Sequence, residues 1–241
     1  MFLSLIIPVY NEEKRISKTI IAIDAYLRKA GYKYEIIVVN ENSTDKTSEV
    51  VHELMKEIPH LSIFDNPENH GKGYAVREGM TEGKGEYLVF TDADLSTPIQ
   101  ELEKMIPLFK QGYDVVIGSR DVKGAILDPP QPLLRRVLGD LFKLYRKIVL
   151  GMWEIEDTQC GFKGFTKKAT EDVFPLCKVN GFAFDPEILI LAKKKGYKIK
   201  EMPITWKNDL ESKIRTSSLF EMAAEILKIR LNLLTHKYGK I

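Results

Sequence analysis

Along the first 120 residues, short runs of apolar and β-branched residues alternate with stretches whose apolar positions recur at helical spacing. Residues 2–9 are apolar on both faces, as a strand buried between two layers must be. Residues 16–30 carry the period of an amphipathic helix and stop at Gly31, a natural residue past a helix end. The pattern then predicts a strand at 35–39, a helix capped by Ser43 or Thr44 and running to about residue 57, and a strand at 61–64. A helix at 73–81 and a strand at 87–91 follow. Thr97 and Pro98 read as an N-cap and first-turn proline opening a helix to about residue 111, and a strand at 115–118 closes this half. Such alternation predicts an α/β fold with a doubly wound, mostly parallel sheet. The second half is less regular, with helices at 133–150, 186–195 and 219–234, a strand at 199–206 and a loop-rich stretch between. No repeat or low-complexity linker interrupts the chain, which reads as one domain with a C-terminal extension.

Composition narrows the partners. Of 241 residues, 44% are hydrophobic and 29% charged, which excludes a disordered chain, and a net charge of +2 argues against a nucleic-acid binder. Cys160 and Cys177 cannot form a disulfide scaffold and match no zinc spacing. No apolar run approaches the roughly 18–20 residues of a spanning helix. The N-terminus lacks a basic n-region and a cleavage site, so it reads as a strand, and a cytoplasmic protein with reduced thiols is expected. Charge is uneven: residues 193–241 hold twelve basic and five acidic side chains, net +7, on a body of −5. Helix 133–150 interleaves apolar positions with Arg135, Arg136, Lys143, Arg146 and Lys147, and 219–237 has the same texture with Lys228 and Arg230. Such helices either lie in an anionic membrane interface or pack on the sheet or on a second subunit.

The polar residues that follow the strands are the candidate chemistry, because ligands of open α/β sheets sit at the strands' carboxyl ends. Asp92 and Asp94 are the sharpest signal. Extended carboxylates at i and i+2 face the same way, so both can address one hard cation, Mg²⁺ or Mn²⁺, shared with substrate phosphates; the alternative is a turn cap beside a solvated acid. His70-Gly-Lys-Gly73 fits neither a P-loop nor a dinucleotide fingerprint and reads as a tight turn before a helix. Arg120 ends the fifth strand, where it can fork onto phosphate or make a surface ion pair. Asp157 and Asp185 each stand in an aromatic, glycine-punctuated setting. The cysteines read as small buried residues, with no neighbouring His to activate either.

In order, IIPVYNEE (6–13), VNENSTD (39–45), GKGYAVREG (71–79), TDADLSTP (91–98), GSR (118–120), DTQCGFKGF (157–165), GFAFDPEIL (181–189) and ESK (211–213) resemble the family 2 inverting glycosyltransferases of the GT-A fold. Among these the chain looks most similar to the dolichyl-phosphate β-glucosyltransferase branch, with dolichyl-phosphate mannose synthases as near relatives. The resemblance covers about residues 2–215 and implies a GT-A catalytic domain over 1–215, with 216–241 as an amphipathic, membrane-interfacial helix. It implies that Pro8, Tyr10 and Glu12 contact the nucleotide, that Asp92 and Asp94 hold metal and diphosphate, and that Arg120 and Lys213 lie near the phosphates. Asp157 and Asp185 would line the acceptor and sugar. Where the family reads Asp-Asp-Gly-Ser, this chain reads Asn40-Glu41-Asn42-Ser43; Asn40, through its amide oxygen, or Glu41 would replace the aspartate that accepts the uracil N3–H.

The function so implied is transfer of a hexose, glucose from UDP-glucose, to a polyprenyl or dolichyl phosphate at the cytoplasmic face of a membrane. An acceptor phosphate needs cations rather than a general base, because its second pKa near 6 leaves it substantially dianionic at neutral pH. The alternatives are a mannose donor, a soluble glycan acceptor with Asp157 or Asp185 as base, and, more distantly, a non-catalytic sugar-nucleotide-binding protein.

Overall fold

Leu3, Leu5, Ile7 and Val9 point to one side of the first strand and Ser4 and Ile6 to the other, and all six are buried. A strand with two apolar faces belongs in the middle of a sheet covered on both sides, and that is where it lies. The structure, a computed structural model, describes residues 1–129, 133–207 and 216–239. Its strands are β1 (Leu3–Val9), β2 (Tyr34–Asn40), β3 (Leu61–Asp65), β4 (Tyr87–Phe90), β5 (Val115–Ser119), β6 (Ile126–Asp128), β7 (Lys163–Thr166), β8 (Ile199–Pro203) and β9 (Thr205–Lys207). The central sheet runs β3-β2-β1-β4-β7-β5-β8. β1 pairs in parallel with β2, Leu5 opposite Ile36, and with β4, Leu5 opposite Val89. β7 runs antiparallel between β4 and β5, and β8 closes the edge parallel to β5. β6 and β9 form a separate parallel pair.

Helices α1 (Ile16–Lys29), α2 (Thr47–Met55) and α4 (Leu102–Lys110) cover the face carrying Leu5, Ile7, Val38 and Val89. The face carrying Ile6, Ile37 and Phe90 is covered by α3 (Lys72–Glu82), α6 (Lys167–Val173), α7 (Phe184–Lys194), α8 (Thr216–Leu234) and the end of α5 (Leu133–Leu150). Helix α3 can approach β1 closely because residue 79 is glycine: a Cβ there would lie 2.5 Å from Ile6 Cγ2. Each fully buried Leu or Ile contributes about 1.5–3 kcal/mol, so two such faces dominate the stability.

The expected α/β alternation is present, with informative differences. β7 and α6 lie in the stretch expected to be loop-rich. The helix expected to open at Thr97 begins instead with a 3₁₀ turn, Ile99–Glu101, ahead of α4. The strand expected at 199–206 breaks at buried Ile204, after which the chain switches sheets. Neither Ser43 nor Thr44 caps α2. Both face the loop after β1: Ser43 Oγ accepts from Asn11 N at 2.9 Å, and Thr44 N donates to Asn11 Oδ1 at 2.7 Å.

Helices α5 and α8 pack side by side, with Tyr145 donating to the Ala223 carbonyl at 2.9 Å. Their inner residues, among them Met222, Ile226 and Ile229, join the core. Outside, Val137, Leu141, Leu144 and Ile148 form an exposed stripe at helical spacing on α5. Phe220, Leu227, Leu231 and Leu234 do the same on α8. Among the described residues no helix is long and apolar enough to cross a membrane. The domain boundary expected at residue 215 lies outside the described residues. Arg146 corrects one expectation: grouped above with the basic residues of the amphipathic face, it is 1% exposed. Its guanidinium donates to the carbonyls of Met152 (3.3 Å), Ile155 (2.9 Å) and Glu156 (3.2 Å). Arg146→Ala strands these acceptors and is expected to cost about 1–3 kcal/mol. The readout is a lower urea midpoint at unchanged slope; an unmoved midpoint refutes this role.

Candidate active site

In the strand order β3-β2-β1-β4, the chain reverses direction of growth between β1 and β4, the switch point at whose carboxyl ends open α/β sheets form their ligand crevice. The β1–β4 register ends at Ile6 opposite Phe90. Pro8, which has no N–H to give a ladder, lies beyond that point. Past it come Tyr10, 44% exposed, and Glu12, ion-paired with Arg15 at 2.5 Å. Asn11, at φ 55°, and the backbone of Glu12, bonded to Thr47 Oγ1 at 2.8 Å, stitch this loop to the one after β2. Across the crevice β4 runs into Asp92 and Asp94.

Asp94 Oδ1 accepts from Ser96 N at 2.8 Å, and burial together with neighbouring Asp92 raises its pKa. Asp92 Oδ1 accepts from Lys72 Nζ. Burial opposes the charge on Lys72, but Asp92, Asp185 and Asp94 outweigh it and raise the pKa of the ammonium. The glycine turn at 71–73 is therefore more than punctuation. Cβ atoms at Gly71 and Gly73 would each lie 2.6 Å from the 180–184 segment, at Asn180 O and Phe184 Cβ, so the glycines let α3 start where Lys72 reaches the acids.

Asp157 and Arg120 come together as one unit. Arg120 Nε and Nη2 donate to the two carboxylate oxygens at 2.7 and 2.9 Å, its backbone N adds a third bond at 3.0 Å, and its guanidinium lies over Trp206 of β9. Burial would raise the Asp157 carboxyl, but Arg120 holds it well below the usual carboxylate range. Asp185, 4% exposed in the first turn of α7, pairs with Lys163 of β7, which also bonds the Cys160 carbonyl. Burial pushes Asp185 up, against Lys163 and Lys72. One segment, 157–163, serves all three acids: it supplies Asp157 to Arg120, Lys163 to Asp185, and at Gly161 the space for Asp92, whose Oδ2 would lie 1.9 Å from a Cβ. Burial raises both thiols, Cys160 to about 11, so neither is a nucleophile at neutral pH.

Asn40 and Glu41 are engaged within the protein. Asn40 Oδ1 accepts from Ser43 N (3.2 Å) and Oγ (2.5 Å), while Nδ2 donates to Asp65 at 2.7 Å. Buried Glu41 accepts from Asn66 Nδ2, His70 N and Gly71 N at 2.6, 2.6 and 3.0 Å, fixing the turn that launches Lys72. Lys213 lies outside the described residues. Lys72 and Lys163 are the site cations that sequence reasoning missed; a lysine flanked by glycines on the ligand rim was the available signal for the first.

The profile of glycosyl transferase family 2 matches residues 4–174. The chain belongs to that family. This glycosyltransferase is 36% identical to a dolichyl-phosphate β-glucosyltransferase of Trichomonas vaginalis, over 96% of its own length and 73% of the relative's. It is 31% identical to the human dolichyl-phosphate β-glucosyltransferase (97% and 76%) and 32% identical to a dolichol-phosphate mannosyltransferase of Pyrococcus furiosus (95% and 64%). A solved glucosyl-3-phosphoglycerate synthase of Mycobacterium tuberculosis, in complex with Mn²⁺, UDP and phosphoglyceric acid, superposes with a TM-score of 0.68 at 18% identity, covering 99% of this chain and 78% of that one. The enzyme has the GT-A fold.

Two outcomes follow for the glycosyltransferase. Asn40→Asp sets a second carboxylate against Asp65 and should cost about 1–3 kcal/mol, recovered on adding Asp65→Asn; a single variant that melts like wild type contradicts this. A carboxyl depressed on folding stabilises above its unfolded pKa near 4 and loses that contribution as pH falls through the folded value. Asp157→Asn should therefore melt well below wild type at pH 7. The gap should narrow between about pH 5 and 2. A gap constant with pH would count against the ion pair.

Proposed function

We propose that the enzyme transfers glucose, with inversion, from UDP-glucose to a polyprenyl phosphate of the dolichyl type. The observation that carries this reading is the Asp92–Asp94 pair at the β1–β4 crevice, in a chain similar over nearly its whole length to dolichyl-phosphate β-glucosyltransferases. The two carboxylates suit a Mg²⁺ or Mn²⁺ ion delivered with the donor. Asp94 stands at the rim with its side chain open to solvent, Gly161 leaves room for Asp92, and two carboxylates leave the remaining positions around such an ion to diphosphate oxygens and water. Such an ion, when bound, offsets the charge growing on the departing nucleoside diphosphate.

The chain's own residues do the rest. Pro8, Tyr10 and Glu12 line the nucleotide side, with Asn40 and Glu41 holding the loops beneath it. Lys72 is placed to leave Asp92 for the diphosphate as the donor enters. Arg120, oriented by Asp157 and Trp206, presents its guanidinium to phosphate, and Lys213 is assigned as a second phosphate-binding cation on the family resemblance alone. The acceptor phosphate attacks the anomeric carbon directly and inverts it. It needs no base, which agrees with an Asp157 locked in its ion pair. A second reading, a hydroxyl acceptor on a soluble glycan, is favoured by the raised pKa of Asp185, which would serve it as the base.

The exposed stripes of α5 and α8, with Lys228, Arg230 and Lys237 exposed beside them, support docking of the C-terminal helices on the cytoplasmic face of an anionic membrane, where a lipid acceptor is found. The test has two arms. Excess chelator or Asp94→Ala should abolish glucose transfer to polyprenyl phosphate while the melting transition persists; transfer that survives either treatment refutes the metal role. Leu141→Glu with Leu231→Glu should release the enzyme from phosphatidylserine vesicles and leave UDP binding unchanged. A wild-type protein that ignores such vesicles yet glucosylates a water-soluble alcohol decides for the second reading.

A further inference from the structure

Helix α8 faces the site as well as the outside. From its inner side the Glu225 carboxylate accepts from Ala183 N at 3.1 Å, at the start of α7. No side chain of α7's own segment makes a cap hydrogen bond at that start, so Glu225 supplies from a neighbouring helix the acceptor for the Ala183 N–H. The fit is close: a Cβ at Gly181 would lie 2.3 Å from Glu225 Oε1. Asp185 follows two residues after Ala183. A second tie brackets the same segment, since Tyr238, just past α8, donates to Glu187 at 2.6 Å, and Glu187 accepts from the backbone N of Lys178 and Val179.

We propose that Glu225 is a positioning residue for glucosyl transfer: it holds the 181–183 turn so that Asp185, with the Lys163 ammonium bound to it, faces the Asp92–Asp94 pair. The inference rests on the reading of Asp185 as a site residue. It gives the exposed stripe of α8 a link to the chemistry, because a surface that seats this helix also seats Glu225.

The experiment measures kcat and the donor KM of the full chain with UDP-glucose and a short polyprenyl phosphate. Misplacing a catalytic group by about 1 Å can cost about 10²-fold. Glu225→Ala is accordingly expected to lower kcat by about 10- to 100-fold with the donor KM nearly unchanged. Glu225→Gln keeps an oxygen for the Ala183 N–H and should restore most of the rate. Gly181→Ala pushes the carboxylate away from the opposite side and should also lower kcat, but should add little in the Glu225→Ala background, since the two act through one contact. If Glu225→Ala fails to fold, Glu225→Gln and Gly181→Ala alone carry the test: near-normal rate in the first and loss in the second support the proposal, and equal rates overturn it. A wild-type kcat in a folded Glu225→Ala, or losses that multiply in the double variant, also overturn it. Asp185→Asn is measured in parallel. If it is fully active, the reading of Asp185 fails; if it is inactive while Glu225→Ala runs at the wild-type rate, only the positioning role fails.

Discussion

Three carboxylates, Asp92, Asp157 and Asp185, converge on one rim of a sheet, two of them almost wholly buried. Removing an ion from water costs several kcal/mol, so such a cluster persists only where each charge has a partner. Each has its own: Lys72 for Asp92, Arg120 for Asp157, Lys163 for Asp185. Much of the local architecture exists to deliver these cations. Glycines at 71 and 73 let α3 begin against the 180–184 segment, Glu41 fixes the turn before it, and β7 brings a lysine to the middle of the sheet. The pairs are unequal in use. Asp157 is saturated by its arginine, whereas the Lys72–Asp92 pair is partly exposed and is the one an incoming diphosphate can rearrange.

The outer helices are tied to this rim by buried polar contacts rather than by packing alone. Arg146 of α5 gathers the carbonyls of 152–156, immediately before Asp157, and Glu225 of α8 holds the turn immediately before Asp185. The two helices with exposed apolar stripes therefore each hold one of the acidic segments. A polar contact of this kind fixes distance and orientation together, which an apolar surface does less sharply.

Much of this was legible in the sequence, and the limits have physical causes. The first half reads well because β1, β2 and β4 are short, apolar and separated by helices with clear periods, so the crevice and the Asp92–Asp94 pair could be placed on its rim. β7 could not be read: four residues containing a buried lysine and a glycine carry no strand period, and Lys163 is tolerated there only because Asp185 arrives from another element. Arg146 misled for the same reason, since an arginine on an amphipathic helix looks solvated until the carbonyls it collects are known. Asn40 and Glu41 were legible as polar residues at a strand end. Apart from Ser43, which meets the Asn40 oxygen locally, their partners, Asp65 and the 66–71 turn, lie 25–30 positions away in sequence, and no local pattern announces such contacts.

The place of β7 also bears on how the protein is made. β4 and β5 do not pair with each other; the antiparallel strand at 163–166 stands between them and is the latest in sequence of the three. When the ribosome has released the first 150 residues, β1 to β4 can already associate, yet β4 presents an open edge and β5 has no partner at all. Open strand edges invite pairing with other chains, and a growing chain lengthens by only about 5–20 residues per second. The nascent enzyme therefore carries an unpaired edge for seconds, next to the carboxylate pair, until the strand at 163–166 emerges to fill the gap between β4 and β5; the lysine it brings to the sheet then waits for Asp185, which follows 22 residues later in the chain.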